Sequence, residues 1–301
     1  MFSTTWIDTL RLRGRVSMSE SGSVAYSRPG IGFANLSKAI VRYRVSGSPS
    51  IKNPTIVMVC DPPNVIEHFD EVIELLSSKA QVVCFEPPGF GFSVPRPGFG
   101  FSFQDYVSCV NELLDTVKLG PYLLAFPCIW AHIALHIANQ RPVVVAKLML
   151  WQCPSWQDQV KWAKFVDNHN ILSRPFFGQA VMSFIPKKVG TFWYRAALSK
   201  GRYADFLPIF EQSLKNGAFC CLGSVWQEWF FRGEPPSEVQ VIQPSLVAWG
   251  LADRTHRHSD RLSLGDQFKH VLWYEFKNSG HSPELEAPQQ FAELLNDWIS
   301  N

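Results

Sequence analysis

Apolar runs alternate with amphipathic stretches along most of the chain. Seven runs of five to nine residues are uniformly apolar or alternate in polarity, which is typical of strands. They predict strands at 39–46, 55–60, 81–85, 122–126, 143–151, 244–250 and 271–276. Apolar residues at three- and four-residue spacing predict helices at 69–78, 103–119, 129–138 and 288–299. Strands that alternate with helices in this way predict an α/β fold with a mostly parallel, twisted sheet flanked by helices.

The pattern changes between residues 153 and 235. Strand-like runs are absent there, and many Trp, Phe and Tyr residues fall in helical segments. We therefore expect an N-terminal extension with at most one strand at 1–37, a core built from 38–152 and 236–301, and a helical insertion at 153–235. Most of the aromatic side chains are expected to form the insertion's own core, and a minority to line an apolar pocket.

A sharp turn in the middle of the chain offers a candidate nucleophile. The buried strand predicted at 122–126 breaks at Pro127 and Cys128, and small or apolar residues then recur at helical spacing. A strand that turns directly into a helix exposes the residue at the turn, near the positive end of the helix dipole. That position favours an anionic nucleophile, so Cys128 is the candidate, and we expect its side chain to be exposed.

This strand, turn and helix resemble the nucleophile elbow of the α/β-hydrolase family, written G-x-S-x-G with a further small residue in the helix. Aligning Ala134 with that small residue places Cys128 at the nucleophile position. In an alternative register, Trp130 matches the Trp that follows the nucleophile in the dehalogenase branch, but Ile129 then falls at the nucleophile and cannot act as one. The flanking glycines of the family are Phe126 and Trp130 here, which predicts a looser or repacked elbow.

Three other segments resemble the same family in the same order. The turn EPPGFGFS at 86–93 is similar to D-x-x-G-x-G-x-S, WGLAD at 249–253 to W-G-x-x-D, and GHSPELEAP at 280–288 to G-H-x-x-x-x-E-x-P. The resemblance covers about residues 38–300. It implies the α/β-hydrolase fold with a helical cap at 153–235, and it places Asp253 and His281 at the acid and base positions.

The resemblance implies a triad of Cys128, His281 and Asp253. The thiolate would attack an acyl carbon, His281 would hold and return the proton, and Asp253 would orient the imidazole. One oxyanion donor would be the backbone N–H of Ile129. The second falls on Pro62, which has no N–H, and losing one donor typically costs about 100- to 1000-fold in turnover. Generic esterase activity is therefore expected to be poor.

Aromatic residues near the elbow and in the cap are the predicted substrate contacts: Trp130, Phe126, Trp229 and Phe230. His132 and His136 stand four residues apart on the elbow helix, a spacing that can chelate a metal. Without the Glu of the zincin pattern they are expected to be packing histidines, although His132, one turn from the elbow, could touch a ligand. No metal or cofactor is predicted.

Composition narrows the class of partner. Of 301 residues 46% are hydrophobic, and the net charge is +2 with no long run of one sign, which disfavours nucleic acid. Arg11, Arg13 and Arg15, and the segment 254–258, are expected to be solvated charges. The seven cysteines form no C-x-x-C motif and predict buried free thiols in a reducing compartment. No signal peptide or membrane span is indicated, so a cytoplasmic location is predicted.

Three functions stay open. The first is hydrolysis or acyl transfer on an ester, thioester or lactone of an apolar small molecule. The second is cyclase- or lyase-type chemistry with His281 as acid or base and Cys128 as a bystander. The third is ligand binding on an inactive hydrolase scaffold. The pattern is silent on the substrate, the oligomeric state, and whether Cys128 is natural or an engineered replacement for serine.

Overall fold

A mixed sheet lies at the centre of the molecule. The protein is described by a computed structural model that covers residues 3–15 and 30–300. Its strands are β1 (Ile31–Asn35), β2 (Ala39–Ser46), β3 (Thr55–Val59), β4 (Val82–Phe85), β5 (Phe90–Gly91), β6 (Val94–Pro95), β7 (Tyr122–Pro127), β8 (Val145–Trp151), β9 (Phe219–Cys220), β10 (Ser245–Gly250) and β11 (Val271–Phe276).

Helices cover the sheet and form the cap. They are α1 (Trp6–Leu12), α2 (Asp70–Ser77), α3 (Phe103–Val117), α4 (Cys128–Gln140), α5 (Trp156–Val166), α6 (Phe177–Phe184), α7 (Pro186–Ala197), α8 (Tyr203–Lys215), α9 (Leu222–Trp226), α10 (Pro283–Glu286) and α11 (Pro288–Ser300). One turn of π-helix, Gln227–Arg232, continues α9. Among the described helices, none is long and apolar enough to cross a bilayer.

The strand order confirms the predicted α/β architecture. The central sheet runs β1-β2-β4-β3-β7-β8-β10-β11, with β6 on the side of β2. The pairs from β4 to β11 are parallel, whereas β2 is antiparallel to β1, β4 and β6. Every residue of β3 and β7 is buried, because helices cover both faces of these strands. The observed bounds lie within about two residues of the predicted ones.

This topology brings three loops to one edge of the sheet. Strands β3, β7 and β10 run parallel, so the loops after them leave from the same carboxyl edge. Those loops carry Asp61, Cys128 and Asp253. In open α/β sheets this edge is where ligands bind.

The regular structure between β8 and β10 is mainly helical, in line with the aromatic-rich pattern of this segment. Helices α5 to α9 occupy it, and the only strand there in the described chain is β9, which pairs with β5 of the core. The extension at the N-terminus contains β1 and also a helix, α1, that was not predicted. Asp8 of α1 is fully buried, pairs with Arg11 and accepts a hydrogen bond from the Ser224 hydroxyl, so the helix is fixed to the cap.

Trp229 joins the cap to the core. Its ring lies 5.4 Å from Phe103, 5.5 Å from Tyr106 and 5.5 Å from Trp130, measured between ring centroids. Its indole N–H donates to the carbonyl oxygen of Phe101 at 3.0 Å. These contacts pack Trp229 between the cap and the core, and its predicted role as a substrate contact stays a prediction.

We expect Trp229→Ala to lower the free energy of unfolding by about 3–5 kcal/mol, because it deletes a large buried ring and leaves its neighbours without contacts. Urea unfolding followed by circular dichroism measures this change. Phe192→Ala removes an exposed ring from the same cap and should change stability by less than about 0.5 kcal/mol. Equal, small losses in both variants would contradict a structural role for Trp229.

Candidate active site

Cys128 occupies a strained turn between β7 and α4. Its φ angle is 47°, in the left-handed region that non-glycine residues rarely adopt. Such strain at a strand-to-helix turn is the backbone feature of a nucleophile elbow. The predicted exposure of Cys128 is wrong, since its side chain is only 2% exposed. The cap covers it, and the amide nitrogen of Gln159 on α5 lies 3.6 Å from the sulfur.

Asp253 and His281 form a tight buried pair. His281 Nδ1 lies 2.7 Å from Asp253 Oδ2. The carboxylate also accepts hydrogen bonds from the Gln152 amide and from the backbone N–H and hydroxyl of Thr255, at 2.8, 2.8 and 2.7 Å. Burial alone would raise the pKa of Asp253, but the imidazole and these donors outweigh it and lower that pKa to about 2. The acid is therefore ionised and held in place.

Two glycines allow the loops of this pair to meet. A Cβ on Gly250, at the end of β10, would clash with the carbonyl oxygen of Gly280, which directly precedes His281. A Cβ on Gly280 would in turn clash with the carbonyl oxygen of Ala197 at the end of α7. Only glycine permits this approach, which explains on steric grounds why a glycine stands in each of the segments 249–253 and 280–288.

His256 belongs to the site, although its segment was predicted to be a solvated charge cluster. That prediction is wrong for this residue. His256 is buried, its Nε2 lies 4.0 Å from the sulfur of Cys128, and its ring stacks on His281 at 5.4 Å and on Trp162 at 4.8 Å. Its Nδ1 lies 2.9 Å from the Ser259 hydroxyl. Burial lowers its pKa to about 3, so the ring is neutral.

Asp61 is a second site residue that the sequence analysis missed. One of its carboxylate oxygens lies 3.2 Å from His281 Nε2, and the other accepts a hydrogen bond from the Trp130 indole at 2.9 Å. In this loop only the backbone of the neighbouring Pro62 was considered from the sequence. A sequence signal was available. Asp61 directly follows a buried strand, and in a parallel sheet that strand ends at the same edge as the strand before Cys128. His281 thus lies between two carboxylates.

Charges and hydrogen bonds around His281 determine its protonation: Asp253 contributes most, followed by the Cys128 sulfur and the contact with Asp61. Burial lowers the pKa of this imidazole, but the negative charges around it, Asp253 foremost, raise the pKa well above its ordinary value. For the thiol of Cys128, burial is the larger effect. Burial raises its pKa, and the neighbouring imidazole and the Ile129 backbone N–H offset this only in part. The resting site therefore favours an imidazolium beside a thiol.

We expect Asp61→Asn to lower the pKa of His281, because the contact with the Asp61 carboxylate, which raises that pKa, is removed. Carbon-13 labelled histidine NMR across a pH titration measures this directly.

A raised folded-state pKa contributes stability that is complete below the unfolded value of about 6.5 and is lost as the pH rises through the folded value. The loss begins near the unfolded value in both proteins and should be complete at lower pH in Asp61→Asn. Asp115→Asn, in a surface ion pair, should leave His281 unchanged. An unshifted His281 in Asp61→Asn would contradict this assignment.

The other predicted site residues lie close to the elbow but differ in surroundings. Ile129 directly follows Cys128, and Pro62 is buried and directly follows Asp61. Phe126 is fully buried in β7 and packs its ring on Phe85. Phe230 stacks on Trp156 inside the cap.

Cys128, His256 and His281 present donor atoms within 4.8 Å of one another. A thiolate with two imidazoles is a donor set that suits Zn²⁺. The 4.0 Å between the sulfur and His256 Nε2 exceeds the roughly 3.6 Å of a tetrahedral site, so the groups would have to move closer. His132 and His136 do not converge on an ion. His132 Nε2 lies 3.6 Å from the Cys153 sulfur and His136 Nε2 lies 3.1 Å from the Ser237 carbonyl oxygen, as expected of packing residues.

Comparison with known proteins supports the same architecture. No known family model matches the chain. It is 21% identical over 250 residues to the uncharacterized hydrolase YugF of Bacillus subtilis, a match that spans 77% of this chain and 84% of YugF. It is 30% identical over 84 residues to an uncharacterized hydrolase of Saccharomyces cerevisiae, a match that spans only 28% of either chain.

Solved structures resemble the chain over nearly its whole length. A haloalkane dehalogenase loop variant from Bradyrhizobium elkanii has a TM-score of 0.70 at 14% identity, covering 90% of this chain and 96% of the other. Epoxide hydrolase A from Mycobacterium thermoresistibile has a TM-score of 0.73 at 13% identity, covering 89% and 98%. The sheet order, the elbow at Cys128 and these likenesses agree, and the protein has the α/β-hydrolase fold.

Proposed function

We propose that the protein is a hydrolase or acyltransferase that uses Cys128 covalently on an acyl group of an apolar small molecule. The observation that carries this proposal is the buried pair of His281 and Asp253, 2.7 Å apart, next to a cysteine at a positive-φ elbow. Each member of a nucleophile, base and orienting acid is present in the family's order.

The proposed cycle uses these three residues in turn. Asp253 holds His281 by Nδ1, which leaves Nε2 to receive the thiol proton as the sulfur attacks the acyl carbon. The leaving alcohol or thiol takes that proton, and a thioester to Cys128 remains. Water then attacks the thioester with His281 as base in hydrolysis, whereas a second alcohol, thiol or amine takes the acyl group in transfer. Because the resting imidazole favours its charged form, Nε2 must first lose its proton to solvent, and its contact with Asp61 must be broken, before it can accept the thiol proton.

The nucleophile itself favours acyl over alkyl substrates. Two structural neighbours are named a haloalkane dehalogenase and an epoxide hydrolase. Attack by Cys128 on a haloalkane or epoxide carbon would form a thioether, which water does not cleave. Attack on an acyl carbon forms a thioester, which can be released. The aromatic rings of Trp162 and Trp193 near His281 favour an apolar acyl group.

A substrate panel tests this choice. Acyl thioesters and activated esters of increasing size should be turned over many times, whereas an epoxide or haloalkane should at most modify one equivalent of enzyme and stop. Repeated turnover of the epoxide or haloalkane, retained in Cys128→Ala, would rule out the covalent cysteine.

A second function is favoured by one specific contact. Asp61 lies 3.2 Å from His281 Nε2, in the loop that should supply an oxyanion donor, and Pro62 next to it has no N–H. A carboxylate disfavours a second negative charge beside it. The pair of Asp61 and His281 suits proton transfer without a tetrahedral oxyanion, as in a cyclisation or elimination, with Cys128 as a bystander.

The double variant Asp61→Gly with Pro62→Gly separates the two functions. If an oxyanion forms, removing the carboxylate and supplying a backbone N–H should raise turnover of an activated thioester by about 10- to 100-fold. Circular dichroism must show that the variant is folded, because added glycine destabilises through the unfolded state. A folded variant that is no faster on any acyl substrate would favour proton-transfer chemistry instead.

A further inference from the structure

One segment of the cap has an unusual charge composition. Residues 168–204 contain six Arg and Lys residues and no Asp or Glu, although the whole chain has a net charge of only +2. The segment includes α6 and α7. None of the proposed chemistry uses its basic residues.

The same segment exposes large apolar side chains. Phe184 is 84% exposed and Phe192 is 70% exposed, and four more large apolar residues of the segment are also exposed: Ile171, Phe176, Phe177 and Ile185. Exposed apolar residues scattered singly are ordinary on a protein surface. Five of them in or directly beside two consecutive helices, between Phe176 and Phe192, mark a surface that contacts something apolar.

Basic and apolar groups are interleaved at the junction of the two helices. Phe184 and Ile185 end the first helix, and Lys187 and Lys188 follow within the first turn of the next. Lys187 is 2.9 Å from Glu211 but its side chain is still largely exposed. The guanidinium of Arg174 lies 5.9 Å from the Phe177 ring. Long basic side chains beside exposed aromatic rings are the composition of helices that lie in a membrane interface.

We propose that this face, formed by residues 174–192 and called the α6–α7 face, docks on the surface of an anionic lipid bilayer. Phe184, Ile185 and Phe192 would enter the boundary between headgroups and acyl chains, while Lys187 and Lys188 contact lipid phosphates. Each basic residue near an anionic surface strengthens binding by about fivefold, and buried apolar area adds to it.

Charge favours lipid over a second copy of the chain. In a twofold-symmetric dimer the same patch meets itself, so Arg174, Lys187 and Lys188 would face their own equivalents. Like charges brought together across an interface weaken it. A bilayer of anionic lipid supplies both the apolar layer and the opposite charge. The α6–α7 face lies on the outer side of the cap. Trp193 faces the site, with its ring 5.2 Å from His281, whereas the neighbouring Phe192 is exposed on the opposite side.

Vesicle sedimentation of the full chain tests the proposal. We expect binding to vesicles of phosphatidylcholine with 30% phosphatidylglycerol, little binding to pure phosphatidylcholine, and weaker binding as salt rises. The variant Lys187→Glu with Lys188→Glu should bind at least about 30-fold more weakly. The variant Phe184→Ser with Phe192→Ser should bind about 10- to 30-fold more weakly.

Matched controls locate the effect on the α6–α7 face. Lys269→Glu with Lys277→Glu makes the same charge change elsewhere, and Ile51→Ser with Val143→Ser removes exposed apolar side chains elsewhere. Both should bind anionic vesicles about as well as the wild type. No binding to anionic vesicles, or equal losses in test and control variants, overturns the proposal. So does a dimer in light scattering that dissociates in Phe184→Ser with Phe192→Ser, since a second copy then covers the face.

Discussion

Asp253→Asn should lower the turnover of an acyl substrate by about 10⁴ while leaving KM nearly unchanged. The magnitude follows serine triads, in which the same change leaves the histidine in place but in the wrong tautomer. Here Asp253 contacts His281 Nδ1 at 2.7 Å and is itself held by three donors, so its effect passes through the orientation and charge of the imidazole. Steady-state kinetics on a thioester from the substrate panel measures both constants.

Asp266→Asn, at an exposed position between β10 and β11, is the matched control and should leave both constants unchanged. The pH profile adds a second readout, since loss of Asp253 also removes the charge that contributes most to the raised pKa of His281. A loss confined to KM in Asp253→Asn would move this residue out of the triad and into substrate binding.

Cys128→Ala should have a larger effect, about 10⁶ in turnover, because it removes the atom that forms the covalent bond. Loss of the nucleophile costs about this much in subtilisin, where the remaining triad members contribute little without it. Cys109→Ala removes a buried thiol from α3 and serves as the control. Its stability should fall slightly while turnover stays near the wild-type value.

The two proposed functions differ most clearly in this variant. If Asp61 and His281 carry out proton transfer with Cys128 as a bystander, Cys128→Ala should keep most of its activity on the native substrate. Retained activity would therefore eliminate the covalent function and leave the proton-transfer function in place.

The fold was predictable because its signals are local and repeated. The buried runs that became β3 and β7 are uniformly apolar, and the amphipathic stretch of α3 begins at a Ser that caps it. Each of these elements can be read from a few neighbouring residues. Helix α1 was not predictable in this way, since its stability comes from contacts such as that of Asp8 with Ser224, more than two hundred residues away.

Sequence patterns predicted only the three site residues that follow the family's order along the chain. Cys128, Asp253 and His281 each follow the carboxyl end of a strand. In a parallel sheet these ends lie at one edge, so the three residues are expected to converge. Asp61 follows a buried strand in the same way and could have been included, whereas His256 enters the site through loop conformation, which the spacing of residues does not encode. The burial of Cys128 depends on Gln159 and the cap, and a pattern around the elbow alone cannot reveal it.

Covalent catalysis by Cys128 is tested most directly by intact-protein mass spectrometry, after rapid acid quench of a reaction with an acyl thioester that the enzyme turns over. Covalent catalysis by Cys128 predicts a mass increase of one acyl group, located on Cys128 by peptide mapping and absent from Cys128→Ala. His281→Gln should accumulate any adduct it forms, because water is no longer activated to release it. Turnover without an adduct on Cys128 at any quench time, in both wild type and His281→Gln, would contradict covalent catalysis by this cysteine.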